Sequence, residues 1–295
     1  MNKISSGAPE TPLIRDLIRE RQADLTASER RLTALLLDES LVVGLQSITR
    51  LAENAEVSTP TVVRLARKLG FGGFPDFQNA IREEIAARMK EPLAKLDPEL
   101  GSERRDHIIS RFARAMSKNI NSTIDRLDTE EFDQVVSLLS DANRKVSVLG
   151  GRISRSNAHY FFNHLQIIRP GVTLMDSSPS VWPQALLDMD AQTVLVVFDI
   201  RRYEKELDRL AAQVAAQGGT VVLFTDQWGS PIERNAAHCF RTMVEVPSSW
   251  DSTLAINFLL EAMVAAIQAA CGSTDRLRAL EDIIGDSRIF RGGRE

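Results

Sequence analysis

What this sequence lacks narrows it first. It holds two cysteines in 295 residues, Cys239 and Cys271, and they form no Cys-x-x-Cys pair. Two separate buried thiols fit that spacing better than a redox couple or a disulfide framework. Histidine is nearly as scarce. His107, His159, His164 and His238 show no metal-ligand spacing, and the step from His159 to His164 sets those two on different faces of a helix. No metal and no cofactor are expected. The Gly-x-Gly-x-x-Gly nucleotide pattern is missing, which argues against a dinucleotide enzyme, and no local Ser-His-Asp or Cys-His grouping points to nucleophilic catalysis. No apolar run reads as long as the roughly 18–20 residues of a membrane span. The opening MNKISSGAPETPLIRDLIRER turns charged again before a signal-peptide core develops. The expectation is a cytoplasmic protein with no membrane partner. A basic surplus is also missing: the net charge of −4 argues against a chain coated for nucleic acid. Internal repeats and low-complexity segments are absent.

What is present reads as two domains, each with enough chain for its own core. To about residue 90 the patterns are helical, over 12–22, 27–38, 47–55, 59–69 and 75–89, with Thr26 or Ser28 as N-cap of the second. Two prolines and a glycine within Glu91-Pro-Leu-Ala-Lys-Leu-Asp-Pro-Glu-Leu-Gly101 mark a linker. The expected division is 1–90, a linker at 91–104, and 105–295. After helices at 104–126 and 129–141, β-branched runs at Val146–Leu149, Val172–Met175, Val194–Phe198, Val221–Phe224 and, more weakly, Cys239–Val246 alternate with helices at 156–168, 203–217 and 251–271. That alternation predicts a doubly wound parallel α/β sheet. A polar helix and a tail fill 274–295.

The densest signal lies in Ser47–Phe77, SITRLAENAEVSTPTVVRLARKLGFGGFPDF. Ile48, Leu51, Ala52 and Ala55 share one helix face, and Val62, Leu65, Ala66 and Leu69 repeat the spacing on a second helix. Two short helices with facing apolar stripes and a tight turn make a helix-turn-helix. Ser58 is placed to cap the second helix, and Pro60 falls in its first turn. No acidic residue occurs between Glu56 and Asp76, whereas Arg64, Arg67 and Lys68 do. Ser58, Thr59, Thr61, Arg64, Arg67 and Lys68 are the expected DNA-binding set: hydroxyls for phosphates or base edges, guanidinium forks for guanine or backbone.

VSTPTVVRLARKLGFGGFPDF resembles the recognition helix and exit of the RpiR (MurR/RpiR) family of bacterial regulators, and Leu25-Thr-Ala-Ser-Glu-Arg-Arg-Leu32 is similar to the same family's upstream helix start. The resemblance places Glu56 where the turn usually has glycine, at a cost of about 1 kcal/mol if the position needs positive φ. It also implies that the second domain is a sugar isomerase (SIS) domain binding phosphosugars. The fold class is then an all-α helix-turn-helix bundle followed by an SIS-like α/β domain.

Lys145-Val-Ser-Val-Leu-Gly-Gly-Arg-Ile-Ser-Arg155 reads as strand, glycine-bearing loop and helix, the place where such sheets bind anions. Gly150 and Ser154 keep the family's glycine-and-serine loop. A second family loop, Ser-x-Ser-Gly-x-Thr, is Asp199-Ile-Arg-Arg-Tyr-Glu204 here. The ligand-binding candidates are Gly150, Gly151, Arg152, Ser154, Arg155, Asp199, Arg201, Arg202, Glu204 and Asp251. The arginines offer forks for a phosphate or carboxylate, while Asp199 and Glu204 repel an anion unless they orient those arginines or bond sugar hydroxyls. A salt-bridged network closing the pocket is the alternative. In Pro247-Ser-Ser-Trp-Asp-Ser252, Ser249 or Asp251 is expected to cap the next helix; lining the pocket is the other reading for Ser248, Ser249 and Asp251.

The function that follows is a DNA-binding transcriptional regulator whose operator affinity answers to a small metabolite, a sugar phosphate or related anionic carbohydrate derivative. Its partners are double-stranded operator DNA, a small-molecule effector and further copies of itself, as a homodimer or higher homo-oligomer. The alternatives are an SIS-type sugar-phosphate isomerase with a helical assembly domain, using Glu204, Glu206 or His159 as base, and a DNA binder with a ligand-free dimerisation domain. Fusion to a DNA reader favours sensing over turnover, so no catalytic residue is expected.

Overall fold

The computed structural model describes residues 13–38, 41–89, 107–272 and 274–287. They belong to two compact units, Met1–Glu91 and Pro92–Glu295. The anticipated linker at 91–104 and the tail from 288 lie outside the described residues.

The first unit is helical: α1 (Ile14–Glu20), α2 (Ala27–Asp38), α3 (Ile48–Asn54), α4 (Thr59–Lys68) and α5 (Phe74–Met89), with 3-10 turns at Gln22–Asp24 and Leu41–Leu45. Thr26 and Glu29 start α2 with a reciprocal cap. The Glu29 carboxylate accepts the Thr26 N–H at 2.9 Å, and the Thr26 hydroxyl accepts the Glu29 N–H at 3.4 Å. Leu32, Leu36, Leu51, Val62, Leu65, Phe77 and Ile81 meet in one core, so the apolar stripes of α3 and α4 face inward as their spacing predicts.

The second unit begins with α6 (Ile108–Ile124) and α7 (Thr129–Ser140), then alternates strand and helix. Its elements are β1 (Lys145–Gly150), α8 (Arg155–Ile168), β2 (Val172–Leu174), α9 (Trp182–Leu186), β3 (Thr193–Asp199), α10 (Lys205–Ala216), β4 (Thr220–Asp226), β5 (His238–Thr242), α11 (Leu254–Cys271) and α12 (Asp275–Ser287). All strand pairs are parallel in the order β2-β1-β3-β4-β5. Strand β3 is buried on both faces. Val194, Val196 and Phe198 join the core beneath α7, α8 and α11, while Leu195 and Val197 join the one beneath α10. Phe198 and Phe224 stack at 4.9 Å in the first of these cores.

Two sequence expectations need correction here. The fifth strand stops at Thr242 instead of reaching Val246, because side chains take over its hydrogen bonds. The Met243 N–H goes to the Thr123 hydroxyl, the Val244 N–H to the Gln227 amide oxygen, and the Glu245 carbonyl accepts from Asn119. An apolar stretch of membrane-spanning length also exists, since the 18 residues of α11 carry Glu261 as their single charge. Its buried Ala255, Ile256, Leu259, Leu260, Met263 and Ile267 pack as a core helix, which accounts for the composition without a bilayer.

Candidate functional site

Helix α4 carries the first candidate surface. Ser58 occupies the N-cap position with extended backbone, and Pro60 lies in the first turn. The Ser58 hydroxyl makes no capping bond, however; it meets the Thr61 hydroxyl at 2.9 Å. Arg64 and Arg67 are exposed, and Thr59 is half-buried. Two of the expected DNA contacts are turned inward. Thr61 is buried, with its hydroxyl also accepting from Arg64 at 3.2 Å. Lys68 donates to the buried Glu29 carboxylate at 2.6 Å and to the Asp24 carbonyl at 2.8 Å. The helical period explains both: Thr61, Leu65 and Lys68 are spaced i, i+4, i+7 and so share the core-facing side. Pro60, Arg64 and Arg67 have the same spacing on the outer side. Burial alone would raise the Glu29 pKa, but the bonds from Lys68 and Thr26 outweigh it and hold the carboxyl below its usual range. The turn before α4 holds Glu56 at φ 52°, and Arg31 donates to the Glu56 carbonyl at 3.2 Å.

The second candidate surface lies at the carboxyl ends of the strands. The order of strands reverses between β1 and β3, where a crevice is expected in an open parallel sheet. A Cβ on Gly150 would come within 2.6 Å of the Ser154 carbonyl and 2.7 Å of the Arg155 nitrogen, so only glycine lets α8 start this close to the strand end. The Gly151 N–H and the Ser154 hydroxyl both donate to the Phe198 carbonyl, at 3.0 and 2.7 Å. Ser154 is thus buried, tying this loop to β3.

Carboxylates fill the far side of the crevice. Asp199 is buried and accepts from the Ser230 hydroxyl and, at 3.4 Å, from the Glu204 N–H. Burial pushes its pKa up to about 7, helped by the charges of Asp226 and Glu204 and opposed by those two hydrogen bonds. Asp226 accepts from the Tyr203 hydroxyl, the Arg201 N–H and the Trp228 N–H at 2.7, 2.8 and 3.0 Å. Burial raises its pKa too, against those bonds. Glu204 reaches across to the first loop, where its carboxylate accepts the Arg152 N–H at 2.6 Å.

The arginines divide. Arg201 is held by Asp251 at 2.8 Å and Glu245 at 3.5 Å, with its guanidinium 3.7 Å from the centre of the Trp228 ring. Asp251 therefore pairs with Arg201 and does not cap α11. The N-cap position of α11 is Thr253, which makes no side-chain capping bond, and the Ser252 hydroxyl one residue earlier accepts the Leu254 N–H at 3.2 Å. Arg152, Arg155 and Arg202 are exposed, and their guanidinium groups meet no protein acceptor among the described residues. A cleft of about 580 Å³ opens beside β1 and β2, walled by Leu149, Gly150, Arg155, Ala158, His159, Leu174, Met175, Asp176 and Ser177. Of the expected ligand residues it includes Gly150 and Arg155. Asp176 and Ser177 are not among the expected ligand residues, although a position just beyond a strand's carboxyl end is the signal that marks them.

A helix-turn-helix model of the rpiR family matches residues 13–88, and an SIS domain model matches residues 138–266, together more than half of the chain. The chain belongs to the RpiR family. It is a DNA-binding transcriptional regulator with an SIS domain. An uncharacterised HTH-type transcriptional regulator of Haemophilus influenzae is 25% identical over 213 residues, 72% of this chain and 73% of that protein. The Escherichia coli regulator YfhH, also uncharacterised, is 22% identical over 229 residues, 77% and 80% of the two chains. Among solved structures, Vibrio vulnificus NanR complexed with ManNAc-6P shares the fold with a TM-score of 0.54 at 18% identity, covering 92% of this chain and 98% of that one. Against the loop pattern Ser-x-Ser-Gly-x-Thr, this RpiR-family chain changes the chemistry at every specified position. Arg202 stands at the glycine position with φ 50°, and Glu204 stands at the threonine.

Proposed function

We propose that this regulator binds double-stranded operator DNA through the exposed side of α4, and that an anionic carbohydrate derivative, a sugar phosphate or a related acid, sets its operator affinity. The observation that carries the effector reading is the β1–β2 cleft, with the uncommitted guanidinium of Arg155 in its wall beside His159, Asp176 and Ser177. Arg155 supplies a fork for the anion, and the neighbouring polar groups suit sugar hydroxyls. The effector complex of NanR supports the same class. Sensing is favoured over turnover because the chain carries a DNA-reading helix-turn-helix. Of the three candidate isomerisation bases, Glu204 is engaged by the Arg152 N–H, Glu206 pairs with Arg209 at the surface, and His159 lies in the cleft wall as a polar neighbour of Arg155. Two copies of the chain would present paired α4 helices to a palindromic operator, with half-sites about 34–36 Å apart or a multiple of that. The effector acts by favouring one arrangement of those helices over another.

The test is a fluorescence-anisotropy titration of the protein against its own upstream DNA at several salt concentrations, with and without a panel of sugar phosphates and sugar acids. Salt-dependent binding to one sequence, shifted about tenfold or more by one compound, is expected. Tight DNA binding that no member of the panel changes would refute the sensing half of the proposal.

A further inference from the structure

The turn after β1, where an anion is expected, is already filled by a carboxylate of the protein itself. The Glu204 carboxylate accepts the Arg152 N–H at 2.6 Å, and its Oε1 lies 2.9 Å from where a Cβ on Gly151 would stand. It is therefore pressed against the bare backbone that glycine leaves open, which is where an incoming phosphate oxygen would meet N–H donors. Glu204 is the residue before α10, yet its side chain makes no capping bond there; it leaves its own helix to reach the opposite loop. The loop is built to hold it so. Arg201 and Arg202 both take positive φ, and the Arg201 N–H and the Tyr203 hydroxyl on either side are fixed by buried Asp226. Arg201, the cation nearest in sequence to Asp199, is drawn off by Asp251 and Glu245. Buried Asp199 and Asp226 take the Ser230 and Tyr203 hydroxyls, donors that would otherwise be open to a phosphate.

We infer that Glu204 is a specificity-determining residue that occupies the phosphate cradle between β1 and β3, so that the effector of this regulator brings no phosphate into that crevice. This deepens the sensor reading and rests on it. The anion of the effector is then read on the other side of β1, at Arg155. A shorter residue at 204 would vacate the cradle and leave the Arg152 N–H, together with the exposed Arg152 and Arg202 side chains of the same two loops, for a phosphate.

The experiment compares full-length wild type with Glu204→Ser and Glu204→Gln, using inorganic phosphate and glucose 6-phosphate as probes, read by calorimetry and by 31P line broadening. The DNA-reading helix is common to all three proteins, so its own affinity for phosphate cancels in the comparison. Glu204→Ser should bind both probes about tenfold more tightly than wild type, the scale of one charge-assisted hydrogen bond. Glu204→Gln, whose amide oxygen still reaches the Arg152 N–H, should gain less. Glu204→Ala reads the same vacancy if the serine variant does not fold. Wild-type binding as tight as that of the shortened variants overturns the inference, and so does an absence of any gain in them. Neither result depends on DNA, so failure here is distinct from a panel that leaves operator affinity unchanged.

Discussion

Replacing Glu56 with glycine should stabilise the N-terminal unit by about 0.5–1 kcal/mol. At φ 52° an L-residue crowds its Cβ against the following carbonyl, which costs roughly 1–2 kcal/mol. Glycine removes that cost but adds about 0.5–1 kcal/mol of conformational entropy to the unfolded chain, which sets the net gain. Little else changes, because the hydrogen bonds that hold the turn are made by the backbone of this position and its neighbours. The Glu56 N–H reaches the Glu53 carbonyl at 3.0 Å, the Val57 N–H reaches Ala52 at 2.9 Å, and Arg31 donates to the Glu56 carbonyl at 3.2 Å. The side chain itself is exposed. Urea unfolding of the full-length protein separates the two units by probe: Trp182, Trp228 and Trp250 all lie in the second unit, so fluorescence reports that unit alone while helical circular dichroism reports both. Glu56→Gly should move only the transition that fluorescence does not see. Glu56→Ala, which keeps the Cβ and its strain, should give no comparable gain. If the two variants are equally neutral, or if glycine destabilises, the turn is not strained and the reasoning fails.

Lys68→Met should cost about 1–3 kcal/mol of stability, since it strips a buried carboxylate of its cation; the partial exposure of Lys68 keeps the loss below that of a fully buried pair. Glu29 has a lowered pKa, so its contribution is present above the unfolded value near 4.3 and fades as pH falls through the folded one. Equal deficits at pH 3 and pH 7 in thermal unfolding would count against the pair. Asp199 has the opposite sign: its raised pKa leaves stability intact below about pH 4 and erodes it as pH climbs through about 7. Asp199→Asn should therefore gain on wild type with rising pH, by on the order of 2–4 kcal/mol at pH 8, and a difference that does not vary with pH would refute the assignment. Arg64→Ala should weaken operator binding by about 1–3 kcal/mol if it reads a base. A phosphate contact would instead weaken all sequences alike and reduce the salt slope, and unchanged binding at every salt concentration would remove Arg64 from the interface.

What the sequence made legible was whatever repeats with the period of its own element. The stripes Ile48-Leu51-Ala52-Ala55 and Val62-Leu65-Ala66-Leu69 lie in one core, and the β-branched runs became the parallel sheet. Polar residues were harder, because a hydroxyl or ammonium looks the same in sequence whether it faces water or a partner far along the chain. Lys68 and Thr61 read as DNA contacts because the partner of Lys68, Glu29, lies 39 residues away and the hydroxyls of Ser58 and Thr61 satisfy each other. Asp251 goes to Arg201, 50 residues off, and the N-cap position of α11 falls to Thr253, with the first helical N–H taken by Ser252. The same difficulty governs the sensor loops. The sequence showed that Asp199–Glu204 had lost its hydroxyls and left two outcomes open, arginine forks or a closed salt-bridged network. The fold divides them: Arg201 is absorbed into the network, Glu204 closes on the Arg152 N–H, and the Arg155 guanidinium meets no acceptor among the described residues beside the cleft. A replaced binding motif thus need not mean a lost site. Filling one cradle with a carboxylate removes a phosphate's donors at that point while leaving the adjacent strand ends open, and that is a change of ligand chemistry that four substitutions in one loop can produce.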